Sequence, residues 1–198
     1  MSRIAGSSGP RTAALIRKTA LHLIYRHGYE AMSLRALAAE VGIQPASLYN
    51  HIANKQELLR QLIEEHLTAL LESADRTLAA AGPDPLARLR AFIAHHLLYH
   101  LDKRQEVFVA NFELRALEPA NLTTVVALRR LYEDRLIAVL DEGVQIGMLK
   151  ARDSRVTAYA MLAMLTGACT WYRPDGRLSK AQLVELHTEL VLDGCVKS

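Results

Sequence analysis

The side chains that could do chemistry stand close together in the run Gln44-Pro45-Ala46-Ser47-Leu48-Tyr49-Asn50. Gln44 and Asn50 each carry a donor and an acceptor side by side, which lets an amide read an adenine edge at two points. Hydroxyls, basic groups and the N–H groups at a helix start hold phosphates. The chemistry on offer is recognition of double-stranded DNA rather than bond breaking. Catalytic patterns are missing: the chain has no G-x-S-x-G elbow, no phosphate loop and no H-E-x-x-H pair. Asp141 and Glu142 are chain neighbours and point apart on a helix. His95, His96 and His100 are the one cluster that suggests metal; His96 and His100 share a face at i, i+4 spacing, but two imidazoles do not complete a site. A polar pocket or a surface pair is the reading taken for them. No catalytic residue, metal or cofactor is expected.

The elements that must position the amides lie between Ser33 and Lys55. Ser33 can cap a helix by accepting from a free N–H of its first turn. Leu34, Leu37, Ala38 and Val41 follow at helical spacing and make one apolar face. Gly42 permits the left-handed backbone that ends such a helix. A second helix follows Ile43 with Pro45 in its first turn, where a missing N–H costs nothing. Ala46 and Leu48 are expected inside, and Gln44, Ser47, Tyr49 and Asn50 outside. Two helices about a tight turn, the second able to enter a major groove, make a helix-turn-helix.

These residues resemble the N-terminal domain of the TetR family of transcriptional regulators. The resemblance rests on Ser33, Leu37-Ala38, Val41-Gly42-Ile43, Leu48-Tyr49-Asn50-His51-Ile52 and Lys55-Gln56-Glu57-Leu58-Leu59. Ala46 stands where glycine is common and Ile52 where phenylalanine is usual; both departures keep the apolar character. The resemblance implies that Ser33, Tyr49, His51 and Lys55 clamp phosphates, and that Pro45 and Ser47 face the bases beside Gln44 and Asn50. The lesser alternatives are that Tyr49 anchors the small domain as an apolar residue and that Lys55 is a plain surface charge.

Charge distribution agrees with a DNA partner. The 198 residues carry a net charge of +3. Residues 1–55 hold seven cations against Glu30 and Glu40, a net of +5, which leaves the remainder at −2. The positive charge therefore collects where phosphates would need it. Cys169 and Cys195 are too few for a secreted disulfide scaffold and lack metal spacing, so a reducing cytoplasm is expected. The N-terminus lacks an apolar core before a cleavage site, and no signal peptide is expected. The uncharged run 156–172 lies at the lower edge of a membrane span, but polar residues interrupt it. A helix buried on most sides, at a subunit interface, is expected there, and no membrane partner.

The remaining chain reads as helices. Residues 1–10 are Gly/Ser-rich, a flexible arm able to touch DNA. A first helix runs from about Arg11 to His27 with Ala14, Leu15, Ala20, Leu21, Ile24 and Tyr25 inward. Further helices are expected near 54–78, 85–101, 104–117, 119–146, 154–172 and from Ser179 onward, with Pro83 and Pro85 breaking the chain. The fold expected is all-α with about nine helices: a three-helix DNA-binding domain over residues 1–52, then a ligand-binding and dimerisation domain over 53–198.

What the second domain holds comes from the resemblance. It implies a small-molecule effector among Phe92, His96, Phe108, Phe112, Arg115 and Tyr132, although aromatic residues at helical spacing also make ordinary core. The run Trp171-Tyr172-Arg173-Pro174-Asp175-Gly176-Arg177-Leu178-Ser179 is similar to that of a subgroup responding to acyl-CoA thioesters. It further implies a homodimer through Ala158, Leu162, Leu165, Cys169, Leu183, Leu190 and Val191, placing two readers on a near-palindromic operator. The function implied is a dimeric, ligand-responsive repressor in the cytoplasm, not an enzyme. The alternative is a helical carrier or enzyme that keeps the small domain as a scaffold.

Overall fold

The structure is a computed structural model and describes residues 9–195. Residues 1–8 of the expected arm lie outside the described residues, while Gly9 and Pro10 already belong to the first helix. Among the described residues the chain is all-helical: α1 (Gly9–His27), α2 (Leu34–Val41), α3 (Pro45–Leu48), α4 (Lys55–Ala80), α5 (Pro85–Asp102), α6 (Arg104–Phe112), α7 (Pro119–Gln145), α8 (Ser154–Trp171) and α9 (Lys180–Cys195). A short 3-10 turn, Leu114–Ala116, stands between α6 and α7.

Helix ends follow side-chain chemistry. Ser33 accepts from Ala36 N–H at 3.0 Å, Asn54 from Glu57 N–H at 2.7 Å and Asp84 from Ala87 N–H at 2.9 Å. Ser179 and Gln182 form a reciprocal capping box, each side chain accepting from the other's N–H at 3.2 and 2.9 Å. At the far end of α2, Gly42 has φ +78°. Its N–H donates to Ala39 O at 3.1 Å, and Ile43 N–H donates to Ala38 O at 3.0 Å. This pair of bonds is a Schellman ending, which a residue with a Cβ would strain.

The chain divides into two compact units. The first takes the residues up to Leu67 together with Gln105–Val126, so it runs beyond the functional boundary drawn at residue 52. Its core holds Ile16, Ala20 and Ile24 of α1, Leu37 and Ala38 of α2, Leu48 of α3, and Leu58, Leu59 and Ile63 of α4, each at most 1% exposed. Burying a leucine such as Leu48 stabilises by about 1.5–3 kcal/mol. Three local expectations are corrected. Ala14 and Leu15 face outward, because the inner stripe of α1 starts at Ile16 and recurs every fourth residue. Ala46 is exposed, so Leu48 alone seats α3. The sixth helix ends at Phe112 rather than near Leu117.

The second unit takes Thr68–Arg104 and Ala127–Ser198. Helix α5 is its central element, packed on α8 and α9. It buries Leu89, Phe92, Ile93, His96, Leu97, His100 and Leu101, which is why its sequence looks apolar nearly all round. No helix among the described residues is long and apolar enough to cross a membrane.

Candidate nucleic-acid interface and buried polar cluster

The first unit presents its polar groups on a very short scaffold. Gln44 precedes Pro45 in the extended backbone that a proline demands, and its amide makes no cap hydrogen bond, so it stays available. Tight turns continue the chain after α3: His51 N–H donates to Leu48 O at 2.9 Å and Ile52 N–H to the same oxygen at 3.2 Å. Leu48 and Ile52 are buried, while Gln44, Pro45, Ser47, Tyr49 and Asn50 are exposed and His51 is half-buried. Tyr49 is 58% exposed, which argues against a role as an apolar anchor. Ser33 spends a lone pair on its cap, and its O–H remains able to donate to a phosphate.

Lys55 is placed differently from its neighbours. Its Nζ lies 4.2 Å from the centroid of the Tyr29 ring and donates to Glu30 O at 3.2 Å. The ammonium therefore holds the start of α4 against the turn between α1 and α2, through a cation–π contact and a hydrogen bond. Sequence reasoning missed its partner Tyr29, which is buried, and also Gln56. The Gln56 amide donates to Ala116 O at 2.6 Å and accepts from Glu118 N–H at 3.0 Å. A polar residue just after a helix start gives no sequence signal of such a distant partner.

The second unit buries a polar cluster. His96 is 2% exposed. Its Nδ1 meets Tyr132 Oη at 2.9 Å and its Nε2 meets Thr166 Oγ1 at 3.0 Å. Two hydroxyls can serve one ring nitrogen as donor and the other as acceptor, which suits the neutral imidazole. Burial first, then His100 and His95, hold the His96 pKa well below its usual value. Burial likewise pushes the Tyr132 phenol up, so it stays protonated. Phe92 lies beside Tyr132, with centroids 5.2 Å apart. Sequence reasoning missed Thr166, which α8 supplies. Among the described residues no group of three or more His, Cys, Asp or Glu could hold a metal.

The other three effector candidates belong to the first unit. Phe108 packs edge-on against Tyr25 at 5.1 Å between centroids and lies 4.7 Å from Phe112. Phe112 and Arg115 are exposed. The six residues thus form two groups, one in each unit.

The candidate interface residues also divide. Ala158, Leu165, Leu183 and Val191 turn into the unit's own core, because α8 and α9 spend those faces on α5 and its surroundings. Leu162 and Cys169 are half-buried, and Leu190 is 63% exposed. Around Leu190 in kind stand Val156, Tyr159, Met164 and Trp171 of α8 and Leu186 of α9, all exposed and apolar. Their spacing along α8 is helical, so the stripe was legible; which stripe faces out was not.

Known proteins share the fold. The model of the bacterial regulatory proteins of the tetR family matches residues 16–62. The model of the tetracyclin repressor-like C-terminal domain matches residues 82–195. The transcriptional repressor KstR2 of Mycobacterium tuberculosis is 26% identical over 199 residues, covering 100% of this chain and 98% of that one. The TetR family regulator PfmR from Thermus thermophilus superposes with a TM-score of 0.81 at 30% identity, covering 90% of this chain and 97% of that one. AibR, in complex with isovaleryl coenzyme A and operator DNA, superposes with a TM-score of 0.84 at 28% identity, over 90% and 97% of the two chains.

Proposed function

The chain belongs to the TetR family of transcriptional regulators, and from that premise we propose that it is a dimeric repressor released from a palindromic operator by a small acyl effector. The family is one of regulators, not of enzymes, and the carrier or enzyme alternative lapses. The observation that carries the DNA reading is the exposed set Gln44, Pro45, Ser47, Tyr49 and Asn50, seated on the buried Leu48. Gln44 and Asn50 read base edges, Pro45 and Ser47 lie against the bases, and Ser33, Tyr49, His51 and Lys55 hold the backbone. Regulation of this kind takes place in the cytoplasm.

For the effector, the relatives support the class. KstR2 is a repressor, and AibR was crystallised with both isovaleryl coenzyme A and operator DNA. Phe92, His96 and Tyr132, with Thr166 beside them, are the candidates for effector contact in the second unit. Phe108, Phe112 and Arg115 are further candidates. Effector binding shifts the protein between two conformers, and α4, which begins beside the reader, carries the shift. Such coupling is worth about 1–3 kcal/mol in typical cases. The test is fluorescence anisotropy on labelled DNA from the gene's own upstream region, titrated with isovaleryl-CoA and longer acyl-CoA thioesters. Release by one thioester supports the whole reading. Binding that every thioester leaves intact discards the effector class and keeps the regulator.

A further inference from the structure

One side chain in the first unit joins two stretches of chain far apart in sequence. Gln56 stands in the first turn of α4, directly after Lys55. Its amide donates to Ala116 O at 2.6 Å and accepts from Glu118 N–H at 3.0 Å. This is the two-point pairing of one strand with another, made here by a side chain on the backbone that leads into α7. The residue before it, Lys55, lies over the Tyr29 ring. The start of α4 and the start of α7 are thus tied at one amide. Glutamine is suited to the task because it offers donors and an acceptor without charge. The helix that opens at Pro119 runs on to Tyr132, the hydroxyl partner of His96 in the second unit.

We propose that Gln56 is a positioning residue for the DNA reader: its clamp on the backbone of residues 116–118 fixes the first turn of α4, and with it the stretch from Tyr49 to Lys55, relative to the start of α7. It touches no base and acts through the backbone it holds. A displacement at the start of α7 then reaches the reader through two hydrogen bonds as well as along α4. This inference rests on the DNA-binding reading above.

Two variants test it. Gln56→Leu keeps the size but cannot pair. Gln56→Glu keeps the acceptor for Glu118 N–H and loses the donor to Ala116 O. When protonated, the glutamic acid regains that donor. A carboxylate oxygen in place of the amide nitrogen would face Ala116 O, which favours its protonated form, with Lys55 and, one turn along α4, Arg60 acting the other way. The readouts are amide hydrogen exchange at Glu118 and affinity for a duplex selected by the wild-type protein from a random pool.

The expected result for Gln56→Leu is faster exchange at Glu118 and an affinity about tenfold weaker, the scale of two ordinary hydrogen bonds. Gln56→Glu is expected to show a similar deficit near neutral pH that shrinks to within about twofold of wild type towards pH ~5, as its carboxyl takes up a proton. A residue that merely fills space would show no such recovery. Wild-type affinity in Gln56→Leu, or a deficit in Gln56→Glu unchanged with pH, overturns the proposal. If Gln56→Leu does not fold, the pH profile of Gln56→Glu decides alone. If the wild-type chain selects no duplex, the DNA-binding reading falls and the positioning role with it; unchanged exchange at Glu118 in Gln56→Leu overturns the clamp whether or not DNA binds.

Discussion

His96 and His100 stack ring on ring, with centroids 3.7 Å apart and planes 18° apart. One turn of α5 sets that distance, and Tyr132 and Thr166 hold His96 in place. Two imidazoles so close cannot both carry charge cheaply, and burial already disfavours charge on His96. The folded chain therefore binds fewer protons here than the unfolded chain does once pH falls below the ordinary histidine value. Stability contributed by the neutral ring is complete above about pH 6.5 and is lost progressively as pH falls from there towards the depressed folded value. The slope cannot exceed about 1.4 kcal/mol per pH unit for one histidine. His95, also lowered by burial and by Arg76, adds in the same direction. Thermal melting from about pH 8 to pH 5 should show the midpoint falling on the acid side. A His96→Asn variant should melt lower at neutral pH but with a flatter dependence; an equal slope in both would place the effect elsewhere.

Tyr49 and Lys55 separate recognition from architecture. Tyr49 is 58% exposed, so Tyr49→Ala should change stability by no more than about 0.5 kcal/mol. Its loss of a phosphate contact should still weaken operator affinity by about tenfold. Lys55→Ala removes the bond to Glu30 O and the contact with Tyr29, and should lower both affinity and melting temperature. Paired melting and anisotropy measurements distinguish the two. Full affinity in Tyr49→Ala would remove it from the interface.

Helices α8 and α9 offer a matched pair of substitutions. Leu190 is 63% exposed, and Leu183 is fully buried. Leu190→Asp should leave a folded chain that sediments as a monomer at micromolar concentration, because a charge on an exposed apolar face of α9 opposes a dry interface. Leu183→Asp should instead unfold the second unit, since it takes a carboxylate out of water into the apolar core. An intact dimer in Leu190→Asp would move the interface to another face.

Gly42 ends α2 ahead of α3 at φ +78°. Gly42→Ala should cost about 1 kcal/mol through its left-handed backbone, with nothing within 4 Å for the new methyl to strike. Urea unfolding would register it, and operator affinity should fall only by the same loss of order.

What the sequence made legible follows local chemistry. Ser33, Gly42, Pro45 and Asn54 each act within a few residues of themselves, so their caps and breaks could be read directly. The exposed reader residues follow from the same short range. What stayed hidden depends on partners far along the chain. Gln56 finds residues 116–118, Lys55 finds Tyr29, and His96 finds Thr166, none of which periodicity encodes. Which faces of α8 and α9 turn inward was not legible, because both are apolar on more than one side and packing against α5 decides which side is spent.

The most direct test of the account is selection of duplex DNA from a random pool by the purified wild-type chain, followed by anisotropy at several salt concentrations. The account predicts a selected sequence with two-fold symmetry, bound by two protomers, with affinity falling linearly in log salt as several phosphates release counterions. Failure to enrich any sequence, with binding no tighter than to random duplex at low salt, would contradict it.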